Sequence, residues 1–140
     1  MMKSCDAGLP LPCLPLPCLP SPSLPSPGLI AAYRATTYSA PGLIVRIGRR
    51  VTGLDRTVVF LTAWNPGSRK MLPGWNQRMQ ATLRRLLPTA LDGEGRFLRW
   101  HEEMLLTTID KRRARVLARR FRQVSIVVAV PGQRARLVFV

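Results

Sequence analysis

Asn65, His101, Glu102 and Glu103 are the residues of this sequence whose types and spacing are best suited to chemistry. Carboxylates beside a histidine perform acid–base work when burial moves their pKa values towards neutrality. Residues 100–109 read as a strand, in which His101 and Glu103 share one face and Glu102 takes the other. The sequence therefore predicts a candidate polar site at Asn65 with Glu102 or Glu103. The alternatives are a turn-forming asparagine and carboxylates that are solvated or paired with arginines.

Residues 111–122 carry seven cations and no acid. With about 3.6 residues per helical turn, four of these cations form a single stripe opposite the apolar positions of the helix. They are Arg112, Arg115, Arg119 and Arg122. A solvated helix face normally intersperses glutamates with its cations. The stripe therefore predicts a surface that binds nucleic acid or another anion, and a plain solvated face is the alternative.

The charge of the chain points the same way, since 22 basic residues stand against 7 acidic ones and the net charge is +15. Lys3 and Asp6 cancel within residues 1–28, so residues 29–140 carry the whole excess. A field of this sign concentrates polyanions near the surface, which makes nucleic acid, an acidic protein or an anionic membrane a candidate partner. A GC-rich base composition would explain arginine in place of lysine, although it would not explain the scarcity of acids.

Several classes of site are excluded by residue type. The three cysteines, Cys5, Cys13 and Cys18, all precede the predicted domain, so the domain has no disulfide framework or thiolate zinc site. His101 is the only histidine, and the glycines near residue 94 lack the spacing of a dinucleotide or phosphate loop. We therefore assign no catalytic residue, metal or cofactor from motifs, and expect a reducing cytoplasm as the location.

Residues 9–28 consist of four five-residue units in which proline stands at every second or third position. Proline fixes φ and removes a backbone donor, so we expect polyproline II or disorder here rather than a helix or strand. The prolines also argue against a secretory signal or a membrane span. Docking of the Pro-x-x-Pro spacing to an aromatic groove remains an alternative. The predicted division is a disordered leader at 1–28 and a single domain at 29–140, and the leader could also be a translated tract ahead of the true start.

The elements that must position these residues follow from hydrophobic periodicity and turn signals. The fold class predicted is α+β, with a mainly antiparallel sheet of five to six strands and two helices on one face. Its element order is β-β-β-α-β-α-β-β. The strands are predicted near 29–38, 43–47, 57–64, 100–109, 124–130 and 135–140, with a short helical piece as the alternative within 29–38. The helices are predicted near 75–86 and 111–122, the second capped by Asp110, and the stretch 92–95 is predicted as a loop.

A set of short motifs gives the chain a resemblance to a known family. They are Tyr33-Arg34-Ala35-Thr36, Thr62-Ala63-Trp64-Asn65-Pro66, Asn76, Gly93-Glu94-Gly95, Trp100 with Glu102-Glu103, and Leu117-Ala118 with Phe121 and Gln123. In this order the chain resembles a bacterial family catalogued as a domain of unknown function, number three-two-nine-three. The resemblance implies a small bacterial domain and brings no activity with it. The sequence departs from the family pattern at Arg113 and Val124.

Three functional hypotheses follow. The first is a non-enzymatic binding module whose basic surface takes nucleic acid or an acidic protein, with the tryptophans in the core. The second is an enzyme with a polar site at Asn65 and Glu102 or Glu103, which requires a concave pocket that joins them. The third is a structural protein-interaction domain whose basicity reflects composition alone.

Overall fold

The structure is a computed structural model that describes residues 25–140. The predictions made for residues 1–24 lie outside this range. The helices are α1 (Pro27–Ala35), α2 (Pro73–Leu86) and α3 (Lys111–Arg120), with a 3-10 turn at Pro66–Ser68. The strands are β1 (Thr37–Ala40), β2 (Leu43–Arg46), β3 (Val58–Leu61), β4 (Leu91–Phe97), β5 (Trp100–Thr107), β6 (Ser125–Ala129) and β7 (Arg136–Phe139).

All seven strands form one sheet in the order β2-β1-β4-β5-β3-β6-β7. Each neighbouring pair is antiparallel. Beyond its two edges the chain forms isolated bridges, Ile47 with Ala135 and Arg50 with Arg134. Because these bridges join the ends of opposite edge strands, the sheet curls on itself and has a concave and a convex face.

Each face of the curled sheet buries its own apolar cluster. On the convex face, α2 and α3 pack Leu83 and Leu117 against Leu61 and Leu105 of the central strands. On the concave face, Phe60 packs with the alternate residues of the same strands and with side chains from the two edges. The helices therefore cover one face as predicted, and the curl itself encloses the other.

The N-terminal element differs from its prediction. Residues 29–38 were predicted as a strand, with a short helical piece as the alternative, and the helix is what is observed: α1 occupies most of this stretch and β1 begins only at Thr37. The Ser26 hydroxyl accepts a hydrogen bond from the Leu29 amide at 3.2 Å and caps the helix, and Pro27 stands at its first position. Proline suits that position because the first amide of a helix has no intrahelical partner. The last repeat unit therefore contains the start of a helix. Its proline is tolerated at the first helical position, although a proline in the helix interior would break the helix.

The stretch 92–95 was predicted as a loop and is instead part of β4. A Cβ built on Gly93 would lie 2.6 Å from the Ser39 carbonyl oxygen of the adjacent strand. Glycine is needed at this position because the backbone of β1 approaches too closely for a side chain. With this strand and α1, residues 25–140 contain three helices and seven strands, against the two and the five to six predicted.

The remaining elements lie where periodicity and turn signals predicted them. The hairpins at residues 41–42 and 131–132 are confirmed, as are α2 and the strand from Trp100. β3 is buried on both faces between β5 and β6, as its continuous apolar run predicted. None of the helices within residues 25–140 is long and apolar enough to cross a membrane.

Candidate ligand-binding cavity

A cavity of about 590 Å³ opens where α1 closes over one end of the curled sheet. Its lining comes from α1, from the segment that joins β3 to α2, and from the adjoining ends of β4 and β5. The residues are Leu29, Ala32, Tyr33, Thr36, Trp64, Asn65, Ser68, Lys70, Met71, Pro73, Asn76, Phe97, Arg99, Trp100, His101 and Glu102. Side chains from three separate stretches of the sequence, 29–36, 64–76 and 97–102, therefore meet at one concave site.

Asn65 lies four residues after the end of β3, where the chain turns away from the sheet. Its backbone has φ 46° and ψ 64°, the left-handed conformation that asparagine tolerates better than most residues. Its amide donates to Asn76 Oδ1 at 2.9 Å, while its own Oδ1 accepts from Asn76 Nδ2 and from the Met71 amide, each at 2.9 Å. The turn is therefore held in place by a buried side chain of α2.

A second buried side chain of α2, Gln80, fixes the residues just before this turn. Its Oε1 accepts from the Ala63 amide at 2.9 Å, and its Nε2 donates to the Glu103 carbonyl at 3.3 Å. The Thr62 hydroxyl donates to the same carbonyl at 2.6 Å. The end of β3 and the start of β5 are thus tied together from the convex side, which positions the side chains on the concave side.

The turn after α3 also supports the cavity. The Gln123 side chain donates to the Trp64 carbonyl at 3.0 Å, and the Gly67 amide donates to the Arg122 carbonyl at 2.8 Å. Val124, one of the two positions at which the sequence departs from the pattern of the resembled family, follows directly after this contact. The turn therefore keeps a polar role through Gln123.

Glu102 is the buried acid of the cavity, with 7% of its surface exposed. Burial raises the pKa of its carboxyl group to about 8, and the neighbouring Asn65 side chain partly opposes that rise. The cause is desolvation, because an apolar environment disfavours the ionised form of a carboxyl group. Near neutral pH, Glu102 is therefore mostly protonated and close to its titration midpoint.

The other acidic and basic candidates lie elsewhere. Glu103 is exposed, does not line the cavity, and contributes only its backbone carbonyl to the network around Gln80. His101 lines the cavity, and its Nε2 lies 3.1 Å from Glu94 Oε2 on the neighbouring strand. Of the three predicted site residues, the structure brings Asn65 and Glu102 together and leaves Glu103 on the opposite face.

Tyr33 and Ser68 were not identified as site residues, yet both line the cavity and their hydroxyl groups are hydrogen-bonded to each other. Burial is the main cause that raises the pKa of Tyr33. The two residues are far apart in sequence, so no local pattern could pair them. The one available signal was that Tyr33 belongs to a motif on which the resemblance was drawn, although the family match itself covers residues 61–126.

The tryptophans divide between the cavity and the rest of the protein. They were predicted as core residues, but Trp64 and Trp100 line the cavity, and Trp100 is 39% exposed. Trp64 packs edge-on against His101, with ring centroids 5.9 Å apart. Trp75, on α2, does not line the cavity. Two of the three tryptophan rings therefore line the cavity.

The arginine stripe of residues 111–122 is only partly continuous. Arg112 and Arg119 are exposed, but Arg115 is half-buried, and its Nε has no hydrogen-bond partner within the described part of the chain. The helix ends at Arg120, and Arg122 has the left-handed backbone φ of 56°. Arg122 therefore does not continue the stripe by helical geometry. Among residues 25–140 no cation of α3 forms a salt bridge.

The fold and the cavity define a class: a small α+β domain with a ligand-sized cavity at the end of a curled antiparallel sheet. Residues 61–126 match the family model described as Protein of unknown function (DUF3293). The resemblance drawn from the sequence is thereby confirmed over this stretch. No curated protein and no solved structure matches the chain.

Seven of the residues in the motifs of that resemblance lie together. Tyr33, Thr36, Trp64, Asn65, Asn76, Trp100 and Glu102 all line the cavity. They come from α1, the turn after β3, α2 and β5, so only the fold brings them together. None of the α3 arginines lines this cavity.

Proposed function

We propose that this protein binds a small organic molecule in the cavity and that Glu102 exchanges a proton with it. The observation that carries the proposal is a buried carboxyl group beside Asn65 in the wall of a cavity of about 590 Å³. Ligand sites for small molecules commonly have volumes of roughly 300–1,000 Å³ and combine apolar walls with a few placed polar groups.

The state of Glu102 supports a functional role for this carboxyl group. Burying an acid without a cationic partner costs free energy, and its side chain forms no salt bridge within residues 25–140. Such perturbed groups are concentrated at functional sites, because a pKa near the working pH makes both protonation states accessible. With its pKa at about 8, Glu102 can either donate or accept a proton near neutral pH.

Asn65 is the second polar group that the proposal uses. Its Oδ1 already accepts two hydrogen bonds, so its side-chain Nδ2 is the group that can donate to Glu102 or to a ligand. Because the αL turn and the Asn76 contact hold it in place, little entropy is lost when it binds. An enzyme that uses Asn65 and Glu102 fits this arrangement, and the exposed Glu103 takes no part in it.

The proposal is tested by comparing the binding of a probe molecule to the native protein and to variants in which a tryptophan side chain fills the cavity or lies outside it. 2-Naphthamide, a neutral two-ring amide, serves as the probe, and binding is measured by calorimetry and by chemical-shift changes near Asn65. We expect binding to the native protein and to Ala31→Trp, and its loss in Ala32→Trp. Both alanines lie on α1, but only Ala32 lines the cavity. Binding to both variants alike, or to neither them nor the native protein, would refute a ligand site here.

Proton exchange is tested separately. The probe here is methyl 2-naphthyl ketone, which has an acceptor oxygen and no donor, and its affinity should fall above pH 8, since the ionised Glu102 no longer donates a hydrogen bond to the ketone oxygen. Glu102→Gln keeps a donor at this position and should abolish that dependence, whereas Glu103→Gln should leave it unchanged. An unaltered pH profile in Glu102→Gln would rule out proton exchange at this residue.

A second candidate function is binding of a polyanion, nucleic acid or an acidic protein, by α3. It is favoured by the cations of α3, which form no salt bridge within residues 25–140 and of which Arg112 and Arg119 are exposed. We expect Arg112→Glu with Arg119→Glu to weaken binding of an oligonucleotide and to lessen its salt dependence by about 0.9 log units per lost duplex contact. Arg78→Glu with Arg85→Glu on α2 is the matched control. Equal effects in both pairs would reject a specific role for α3.

A further inference from the structure

We propose that the ligand of the cavity is an aromatic organic anion, such as a carboxylate attached to a one- or two-ring system. This inference rests on the proposed function, since it names the class of molecule that the cavity takes. Three independent properties of the lining support it: the aromatic walls, the hydrogen-bonding character of the free polar groups, and the charges.

The walls favour a planar apolar body. Trp64, Phe97 and Trp100 supply aromatic surface, and Leu29 and Met71 supply aliphatic surface. Flat rings bury large areas against such walls and gain about 0.5–1.5 kcal/mol per aromatic pair beyond the area itself. A compact inorganic anion would leave these walls uncovered, and a flexible aliphatic chain would lose more conformational entropy.

The polar groups that lack a partner are donors. The Nε1 of Trp64 is buried and has no hydrogen-bond partner among residues 25–140. The indole N–H is a donor only, and leaving it unpaired in a buried position costs about 1–3 kcal/mol. The side-chain oxygen of Asn65 is occupied by two donors, and its NH2 group is a donor that hydrogen-bonds Glu102. Because the Trp64 nitrogen is fully buried, a ligand in the cavity does not reach it in this conformation, and the accessible cationic donors of the lining are Lys70 and Arg99.

The charges around the opening are positive. Lys70 and Arg99 line the cavity, are exposed, and form no salt bridge within the described residues. Glu102 is the one acid of the lining, and near neutral pH it is mostly protonated because its pKa is about 8. A neutral Glu102 donates its proton towards an acceptor and does not repel an anion. The site is therefore complementary to a negative group.

Three isosteric probes separate these properties: 2-naphthoate, neutral 2-naphthamide and cationic 2-naphthylmethylamine. At pH 7 we expect 2-naphthoate to bind about tenfold more tightly than the amide, because hydrogen bonds to charged groups are stronger. The amine should bind more weakly than either. On addition of 2-naphthoate, the indole N–H resonance of Trp64 should shift, while that of Trp75, outside the cavity, should not.

Charge variants supply the matched control. Lys70→Gln with Arg99→Gln should lower the affinity for 2-naphthoate by about three- to tenfold and leave that for 2-naphthamide unchanged. Arg34→Gln removes an exposed cation of α1 that does not line the cavity, and it should change neither affinity.

The outcomes distinguish the inference from the proposed function. If 2-naphthamide binds in the cavity but 2-naphthoate binds no more tightly, the anion inference is wrong and the ligand site stands. Tighter binding of the amine would likewise overturn the inference. If no probe binds, or Ala32→Trp and Ala31→Trp behave alike, the proposed function fails together with it.

Discussion

Asn65 and Asn76 exchange two hydrogen bonds, one from the Asn65 amide to Asn76 Oδ1 and one from Asn76 Nδ2 to Asn65 Oδ1, each 2.9 Å long. The pair joins the turn after β3 to the first turns of α2, and Asn76 is almost completely buried. One asparagine thereby satisfies the polar groups of another and holds it in a left-handed conformation beside Glu102.

Asn76→Ala should lower the free energy of unfolding by about 1–3 kcal/mol, since it leaves the Asn65 amide without its buried partner. Urea unfolding followed by tryptophan fluorescence measures the change. Gln77→Ala alters the exposed neighbour on the same helix and should stay within about 0.5 kcal/mol of the native value. An equally small effect for Asn76→Ala would mean that the turn does not depend on this pair.

The stability of the protein should fall as the pH rises between about 4.5 and 8, because the pKa of Glu102 is raised from 4.5 to about 8 in the folded state. In that range the unfolded chain has released the proton that the folded protein still holds. Unfolding therefore releases up to one proton, and its free energy decreases by up to about 1.4 kcal/mol per pH unit.

Glu102→Gln should remove this contribution and flatten the profile, whereas Glu103→Gln, at an exposed position, should retain it. Urea unfolding at pH 5, 7 and 9 checks both variants. Stability that rises with pH through this window in the native protein, but not in Glu102→Gln, would contradict a raised pKa.

Gly93→Ala and Gly74→Ala should change stability in opposite directions. A methyl group at residue 93 would lie 2.6 Å from the Ser39 carbonyl and 3.2 Å from the Phe60 ring, so overpacking should cost about 1–3 kcal/mol. At Gly74, in α2, the nearest atom is a side-chain nitrogen 3.6 Å away, and alanine should add about 0.5–1 kcal/mol of stability. Thermal unfolding of both variants tests the pair. If Gly93→Ala left the stability unchanged, β1 would have to lie further from β4 than the structure places it.

Asp110 caps α3 by accepting a hydrogen bond from the Arg113 amide at 2.9 Å. Asp110→Ala should therefore cost about 0.5–2 kcal/mol of stability. Asp110→Asn keeps the cap and removes only the charge, so it should lose less than the alanine variant in denaturant unfolding. If both variants lose the same amount, the stabilisation arises from the charge at the helix N-terminus rather than from the hydrogen bond.

Much of the fold could be predicted because its signals are local. The alternating and continuous apolar runs predicted β3 and β5, and the 3.6-residue period with the Asp110 cap predicted α3. A helix at α1 was predicted only as an alternative because the prolines at its start indicate an interruption of helical structure, although proline is tolerated at the first helical position. β4 was missed because its glycines read as a loop, and only the neighbouring backbone of β1 explains them.

The candidate site shows the same division. Alternation along β5 determined by itself that Glu102 and Glu103 point to opposite faces, since side chains of a strand alternate. Which face is enclosed was not a local property. The curl of the sheet and the position of α1 bury Glu102 beside Asn65 and leave Glu103 exposed.

The sequence by itself determined the residue types available for chemistry, the location of the positive charge in residues 29–140, and most of the strands and helices. Only the tertiary structure decided that Tyr33, Asn65 and Glu102 form one site and that the arginine stripe is interrupted at Arg115 and Arg122. The physical reason is that periodicity and capping act over a few residues. Burial, and with it the pKa of Glu102, depends on segments that meet across the fold.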